Sequence, residues 1–281
     1  MKNQIIFVLI FVSIPFLAKT QTGPGGIEDT TGSSPLLLWL KADFGIQVSD
    51  NDSVDVWNDQ SGYQHDADSL RSDARPVYLL DRVNGNPAVQ FNGGNDQRLS
   101  IPHSSSLDHN GDYTLFMLIS PENSSEQFPF FLSKFLSEIN SQYHLGFEST
   151  FKLQSWFGVP TMASDAAVSN QTFSFLPGSY SLVTSQVTFS NPTSALSYFI
   201  NGTLDNTKLI NGQTPINTQP LFIGGGVQGA SERDVTGDIA EVIIISRSIA
   251  EVERVLVENY LEAKYGGQGV ENLFDISNDI F

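Results

Sequence analysis

The chain has 281 residues, a formal net charge of −17 at neutral pH and no cysteine. Its length suits one large domain or two small ones, and a hydrophobic content of 40% can build a sizeable core. The lack of cysteine excludes disulfides, thiolate metal sites and a cysteine nucleophile, and so acidic a surface argues against nucleic acid and anionic membranes as partners.

The first 20 residues are predicted to be a signal peptide. A short basic region precedes the apolar stretch 5–17, and Ala18 and Thr20 place small residues where a signal peptidase reads. The alternative is a membrane anchor, but the apolar stretch is shorter than the roughly 20 residues of a membrane span. We therefore expect cleavage before Gln21, a secreted or cell-surface protein, and no stable membrane insertion afterwards.

The remainder reads as a linker, one domain and a tail. Residues 21–34 are rich in Gly, Pro and Thr and are predicted to be an extended linker. Residues 35–266 show no break in composition and are predicted to form one domain, which a flexible acidic tail, 267–281, follows. Within the domain, Asn201-Gly202 is a strong hairpin signal, because both central residues of such a turn adopt positive φ.

The domain consists mainly of short apolar or alternating runs separated by turn signals, which is typical of a β-sandwich. Several of these runs are rich in aromatic side chains. The predicted strands are 35–42, 54–62 (which runs into a turn), 87–91, 99–102, 113–121, 128–135, 143–148, 151–158, 179–190, 195–200, 203–205, 220–223 and 238–246.

The segment 237–266 combines a predicted strand that is apolar on both faces with the one long predicted helix. Both faces of such a strand must be covered, so one should meet the core and the other the helix. A capping-box pattern, Ser248 with Glu251, predicts that the helix starts at Ile249. The expected faces of the strand are Ile239, Ile243 and Ile245 on one side, and Ala240, Val242 and Ile244 on the other.

In this order, the pieces resemble the laminin-G-like, concanavalin A-like jelly-roll domains of secreted bacterial proteins. The resemblance covers about residues 35 to 266 and rests on LLLWLKADFGI…VDVWNDQSGYQHDA, NPAVQFNGGNDQRLSIPHSSSL, SYFINGTL, LFIGGG and GDIAEVIIISRSIAEVE. It implies two antiparallel sheets packed face to face, and a usual role in binding carbohydrate or protein outside the cell, often with calcium. We therefore predict an all-β, two-sheet antiparallel sandwich of the concanavalin A-like jelly-roll type, with one C-terminal α-helix packed outside.

The sequence shows no pattern of a catalytic site. A glycosidase needs two carboxylates that flank the sugar bond, whereas Asp238 and Glu241 are three positions apart on a predicted strand and are expected on opposite faces. The stretch 224–229 matches G-x-G-x-x-G, but a strand rather than a helix follows it, so it does not predict a nucleotide site. We predict a non-catalytic binding or adhesion domain. The first alternative is a protein-interaction or structural surface domain, and the second is a diverged polysaccharide hydrolase or lyase.

A sugar site would need an aromatic platform beside polar groups. Trp156 and Gln154 share a face of one predicted strand, and Tyr143 lies on another of the middle strands, which form the concave sheet in related folds. These three residues are the predicted ligand contacts, although Trp156 could equally belong to the core. An extracellular glycan is the first predicted partner, and a surface protein is the alternative.

Calcium is the candidate cofactor, because it prefers carboxylate and carbonyl oxygens. Asp108 and Asp112 form an oxygen-rich cluster with Asn110, but Tyr113 stands where an EF-hand loop needs Gly. The resemblance adds Asp238, since related hydrolases often hold a structural calcium through an aspartate at the start of the closing strand. The alternative is that all of these residues form turns and caps.

Overall fold

The computed structural model describes residues 22–122, 128–137, 140–156, 166–226 and 233–266. The predicted signal peptide and the predicted tail lie outside the described residues. The described residues form two antiparallel β-sheets with one α-helix on the outer side of the first sheet, which confirms the predicted fold class. Within these ranges, no helix combines the length and the apolar character that crossing a membrane requires.

The first sheet is organised around its closing strand. Its described strands are β1 (Leu36–Lys41), β5 (Val77–Val83), β6 (Asn86–Phe91), β8 (Tyr113–Pro121), β13 (Ser181–Ser190), β14 (Thr193–Ile200), β15 (Thr203–Asn211) and β17 (Gly237–Ile245). They follow the order β15-β14-β13-β8-β17-β6-β5. Strand β8 pairs with one edge of β17, while β6 and β1 share the other edge.

The second sheet faces the first across the core. Its described strands are β2 (Ile46–Val48), β3 (Val54–Trp57), β4 (Ala67–Ser69), β7 (Leu99–Ile101), β9 (Phe130–Ser137), β10 (Asn140–Phe147), β11 (Lys152–Ser155), β12 (Ala167–Thr172) and β16 (Leu221–Ile223). They follow the order β12-β11-β10-β9-β16-β7-β4-β3-β2.

Strand β8 shows how alternating side chains divide the molecule into two apolar layers. Leu115, Met117 and Ile119 belong to the core between the sheets, whereas Phe116 and Leu118 belong to the layer under the helix. All five are at most 1% exposed. Because burying one such side chain is worth about 1.5–3 kcal/mol, both layers contribute substantially to the stability of the first sheet.

Helix α1 (Glu251–Tyr265) covers the outer face of the first sheet. Val257, Leu261 and Tyr265 are buried in the layer that it shares with β8 and β17. The helix supplies the cover that the two-faced strand required.

The predicted start of the helix was wrong by two residues. The hydroxyl of Ser248 bonds to side chains of β13 instead of capping the helix. Ala250 is the N-cap residue, and its N–H donates to the carboxylate of Glu253 at 2.8 Å. Pattern matching chose the wrong pair because both Glu251 and Glu253 lie in the first turn, where a carboxylate is favourable.

A β-bulge in β17 changes which side chains face the core. The pairing with β8 shifts between Ile239 and Glu241, and a bulge interrupts the alternation of faces. The predicted grouping of the isoleucines was therefore wrong: Ile239, Val242 and Ile244 face the core, whereas Ala240, Ile243 and Ile245 face the helix layer.

The bulge also brings two carboxylates to one face. Asp238 bonds to Tyr180, which packs against the helix layer, and Glu241 bonds to side chains of the helix itself. The expectation that Asp238 and Glu241 point to opposite faces was therefore wrong, since it assumed an unbroken period of two.

Glu241 is a buried carboxylate with a full set of hydrogen-bond donors. It is 1% exposed and accepts from Trp39 Nε1 at 2.7 Å, Tyr260 Oη at 2.9 Å, Tyr265 Oη at 2.9 Å and Lys264 Nζ at 2.8 Å. A buried charge is tolerated only when it is paired and hydrogen-bonded in this way. Glu241 therefore ties β1, β17 and the helix together.

Replacing Glu241 with alanine is expected to lower the free energy of unfolding by about 3–5 kcal/mol, because it removes the buried acceptor that four donors share. Urea unfolding measures the change. The control variant Glu251→Ala removes an exposed carboxylate from the same helix and should cost no more than about 1 kcal/mol. Equal losses in the two variants would contradict the proposed role of Glu241.

Candidate ligand site on the outer face of the second sheet

Strands β10 and β11 place two predicted ligand residues together on the outer face of the second sheet. Leu153 faces the core, so Gln154 faces outward, opposite Gly146 of β10. Trp156 follows the end of β11, and its backbone N–H donates to Nδ1 of His144 at 3.0 Å. His144, Gln154 and Trp156 thus form one polar and aromatic group, which is the centre of the candidate site.

Tyr143, the third predicted ligand residue, lies on the other side of the sheet. It is fully buried, and its ring packs edge-on against Tyr113 in the core, with 5.1 Å between ring centroids. Burial raises the pKa of its hydroxyl well above the usual range. The structure therefore does not bring Tyr143 together with Gln154 and Trp156.

An aromatic wall from β9 borders the group. The ring of Phe130 lies edge-on to His144, with 4.2 Å between centroids, and packs against Phe135 at 5.4 Å. Gly146 makes this arrangement possible, because a Cβ atom there would lie 2.8 Å from Phe130 Cδ1 and 2.6 Å from the carbonyl oxygen of Pro129. Such a contact is far shorter than the optimal separation of about 3.5–4.0 Å between carbon atoms.

Several polar atoms of this face have no hydrogen-bond partner among the described residues. They include Nε2 of His144, Oε1 of Gln154 and Nε1 of Trp156. His144 is 2% exposed and Gln154 is 8% exposed, so water does not compensate freely. Because an unmatched buried polar group costs about 1–3 kcal/mol, these atoms indicate a place for a ligand with complementary groups.

The charge and the tautomer of His144 follow from its surroundings. Burial first, and the guanidinium of Arg233 second, lower its pKa to about 3, so the ring is neutral at physiological pH. Since Nδ1 accepts the N–H of Trp156, the ring proton lies on Nε2. His144 therefore carries a buried N–H donor that has no acceptor among the described residues.

An arginine–aspartate pair adjoins the aromatic wall. Asp234 forms a bridge with Phe130, is fully buried, and accepts from Arg98 Nη1 at 2.7 Å. Burial raises the pKa of Asp234 to about 8, although Arg98 opposes the shift. Arg98 also pairs with Asp96 at 2.7 Å. Asp96 also pairs with Arg71 at 3.1 Å, and Oδ2 of Asp234 has no hydrogen-bond partner among the described residues.

The sequence analysis named Gln154 and Trp156 as ligand contacts but did not name His144, Phe130 or Arg233, which the structure places near them. His144 carries no signal of its own in the sequence, because its partners come from other parts of the sheet. His144 lies two residues before Gly146 on β10, and Gly146 pairs with Gln154 of β11. Knowing this pairing would have placed His144 near Gln154. A sequence without pairing information does not contain that register.

The carboxylate of Asp238, a predicted calcium ligand, forms an ion pair with Arg82 of the protein itself. This carboxylate is fully buried, lies 2.7 Å from Nη2 of Arg82 and accepts from Tyr180 Oη at 2.8 Å. Arg82 also pairs with Glu122 at 3.3 Å. A guanidinium at this position does not fit a calcium ion, which needs the same oxygens.

The other two predicted ligands are separated by their own contacts. Asp108 pairs with Lys134 Nζ at 2.9 Å, and Asp112 accepts from the backbone N–H of Phe189 at 2.6 Å. Within the described ranges, no group of three or more acidic or histidine side chains could hold a metal ion. Calcium binding is therefore not supported by these contacts and stays a prediction from the resemblance.

Thermal unfolding with excess calcium and with a chelator tests this prediction. An ion that binds the native state raises the melting temperature by mass action, and Asp238→Asn should abolish the rise if Asp238 is a ligand. Equal melting temperatures in calcium and chelator would remove calcium from the account of this protein.

The buried neutral His144 predicts a dependence of stability on pH. Below pH 6.5 the unfolded chain binds a proton at this residue, whereas the native state does not until about pH 3. The free energy of unfolding should therefore fall on acidification, by about 1 kcal/mol per pH unit from this group. The variant His144→Gln lacks the group that takes up a proton on unfolding. Its free energy of unfolding relative to that of the wild type should therefore rise as the pH falls.

Urea unfolding between pH 4 and 7 gives the measurement. The control Gln154→Ala alters the same face without a titratable group, and its stability difference from the wild type should not change with pH. A pH-independent difference for His144→Gln would show that the histidine is not buried in its neutral form.

Comparison with known families gave one match. A sequence model for laminin-G domains, described as the concanavalin A-like lectin/glucanases superfamily, matches residues 92–253. No curated protein sequence matches the chain.

Comparison with solved structures showed similar folds at low sequence identity. The binding domain of Paraclostridial Mosquitocidal Protein 1 matches with a TM-score of 0.57 and 14% identity, over 80% of this chain and 51% of that one. Domain 4 of AbnA, a GH43 extracellular arabinanase from Geobacillus stearothermophilus in complex with arabinotriose, matches with a TM-score of 0.54 and 14% identity, over 80% of this chain and 97% of that one.

A sialidase from Trypanosoma rangeli, in complex with sialic acid, matches with a TM-score of 0.54 and 15% identity. This match covers 88% of the present chain but 36% of the sialidase. The chain thus spans about half of the mosquitocidal binding domain and about a third of the sialidase.

Proposed function

The chain belongs to the concanavalin A-like lectin/glucanase superfamily, and we propose that it is a secreted, non-catalytic binding domain for extracellular carbohydrate. The proposed binding face is the outer face of the second sheet around His144, Gln154 and Trp156. Secretion rests on the signal-peptide pattern of the first 20 residues.

The observation that carries the proposal is the group of unmatched polar atoms beside an aromatic wall. A sugar presents hydroxyl groups that donate and accept, and C–H faces that pack on aromatic rings. The buried Nε2–H of His144 and Oε1 of Gln154 match the former, and the half-buried ring of Trp156 offers the latter. Half-burial also sets Trp156 where the cluster reaches solvent, as a ligand contact requires.

The similarity to the arabinanase domain supports this interpretation. That domain was solved with arabinotriose, and its length is almost completely covered by the match. At 14% identity the likeness extends to the fold alone, so the choice of sugar must come from the residues of this chain.

The positions of the buried carboxylates favour binding over hydrolysis. Asp238 and Glu241 share one face, but that face is enclosed beneath the helix layer, and each carboxylate bonds to a cation of the protein. On the proposed binding face, Asp234 is fully buried against Arg98. None of these three groups is free to flank a glycosidic bond.

A glycan array followed by calorimetry tests the proposal. Trp156→Ala and Gln154→Ala are each expected to weaken binding of the best glycan roughly tenfold, the loss of about 1.4 kcal/mol of contact energy. The matched control Phe44→Ala removes a ring that is 61% exposed elsewhere on the surface and should leave affinity unchanged.

Circular dichroism must show that each variant is folded. If the folded wild type retains no glycan, the proposal fails. Chemical cross-linking to a surface protein would then support the role in protein interaction instead.

A further inference from the structure

The candidate site contains a positive charge that no described carboxylate neutralises. The guanidinium carbon of Arg233 lies 5.0 Å from the centroid of the Phe130 ring, and 5.4 and 6.0 Å from those of Phe128 and Phe135. Arg233 forms no ion pair within the described ranges, whereas Arg98 pairs with two aspartates. The chain has 31 acidic residues and 14 basic ones, so an arginine without a carboxylate partner is notable.

Arg233 and His144 contact the same two aromatic rings. The His144 ring lies 4.2 Å from Phe130 and 6.0 Å from Phe135, measured between centroids. The charge of Arg233 is close enough to help lower the pKa of His144. A guanidinium and a buried N–H donor without a described partner thus both lie against the rings of Phe130 and Phe135.

From this juxtaposition we propose that the sugar bound here is acidic, and that its carboxylate is held between the Arg233 guanidinium and His144 Nε2–H. The inference rests on the proposed carbohydrate function and specifies the class of sugar. Uronic acids and related sugar acids carry this group.

The full positive charge of Arg233 favours an anion over a neutral sugar. The guanidinium, His144 Nε2 and Trp156 Nε1 can only donate, whereas Oε1 of Gln154, Oε1 of Gln142 and Oδ2 of Asp234 are oxygens without a partner among the described residues. A planar carboxylate accepts two parallel N–H bonds from a guanidinium, and such charge-assisted bonds are about twice as strong as neutral ones. Partial burial strengthens them further, because the effective dielectric constant is lower than in water.

The remaining groups suit the sugar ring. Gln154 lies two residues before Trp156, and its unmatched amide oxygen is available for a ring hydroxyl. Arg233 itself is half-buried, which leaves the cation within reach of a ligand that arrives from solvent.

The test compares each acidic oligosaccharide with its own methyl ester. Tetramers of galacturonate, mannuronate and guluronate, and their fully esterified forms, are titrated into the wild-type protein by calorimetry. Esterification removes the charge and keeps the ring, so the acid that binds best should bind at least tenfold more tightly than its ester. Its affinity should also fall as salt concentration rises.

Two variants locate the carboxylate. Arg233→Gln should reduce the preference for acid over ester to less than threefold, and Arg233→Lys should retain part of it as a point charge. Phe44→Ala is again the control. The ligand comparison needs only the wild type, so the test does not depend on the folding of a variant.

The outcomes separate the two proposals. If acid and ester bind equally, or neutral glycans bind better, the acidic-sugar inference falls and the carbohydrate function stands. If a sulfated oligosaccharide binds more tightly than every uronate, the assignment to a carboxylate is wrong. If no acidic, esterified or neutral glycan binds to the folded protein, both proposals fall.

Discussion

A single buried carboxylate, that of Glu241, sets the architecture of the helix side of this protein. Taking a charge out of water is costly, and Glu241 offsets the cost with donors from β1 and from the last turns of α1. These donors reach it only if the helix lies in one position along β17. Burial of the apolar layer holds the helix against the sheet without fixing its position along β17. The directional hydrogen bonds to Glu241 fix that position.

The position of Glu241 depends in turn on the bulge in β17. In a regular strand it would alternate with Ala240 and point into the core between the sheets, where no such donors are described. The shifted pairing between Ile239 and Glu241 turns the side chain toward the helix. The bulge therefore allows one strand to serve two apolar layers and still place a charge at their border.

The contrast between Tyr143 and Trp156 shows how much of the fold and of the candidate site can be predicted from the sequence. Most of the strands, the closing helix and the two-layer cover were predicted from apolar periodicity and turn residues, because those features are local. Strands β2, β4, β5 and β12 were not predicted. The face that each residue takes could not be predicted in this way, because it depends on which strand pairs with which and in what register. The same limit explains why the unmatched atoms of His144, Gln154 and Trp156 could not be foreseen as a group.

Strand β17 lies in the middle of the first sheet but is the last of the described strands to be synthesised. Until residues 237–245 have been synthesised, β8 has an open edge, and β6 and β1 lack the strand that joins them to the rest of the sheet. The pairings that complete this sheet link distant parts of the sequence and form slowly. A nascent chain therefore stays without a finished sheet until nearly the whole domain is available, and a truncation before β17 would expose strand edges of the kind that drive aggregation.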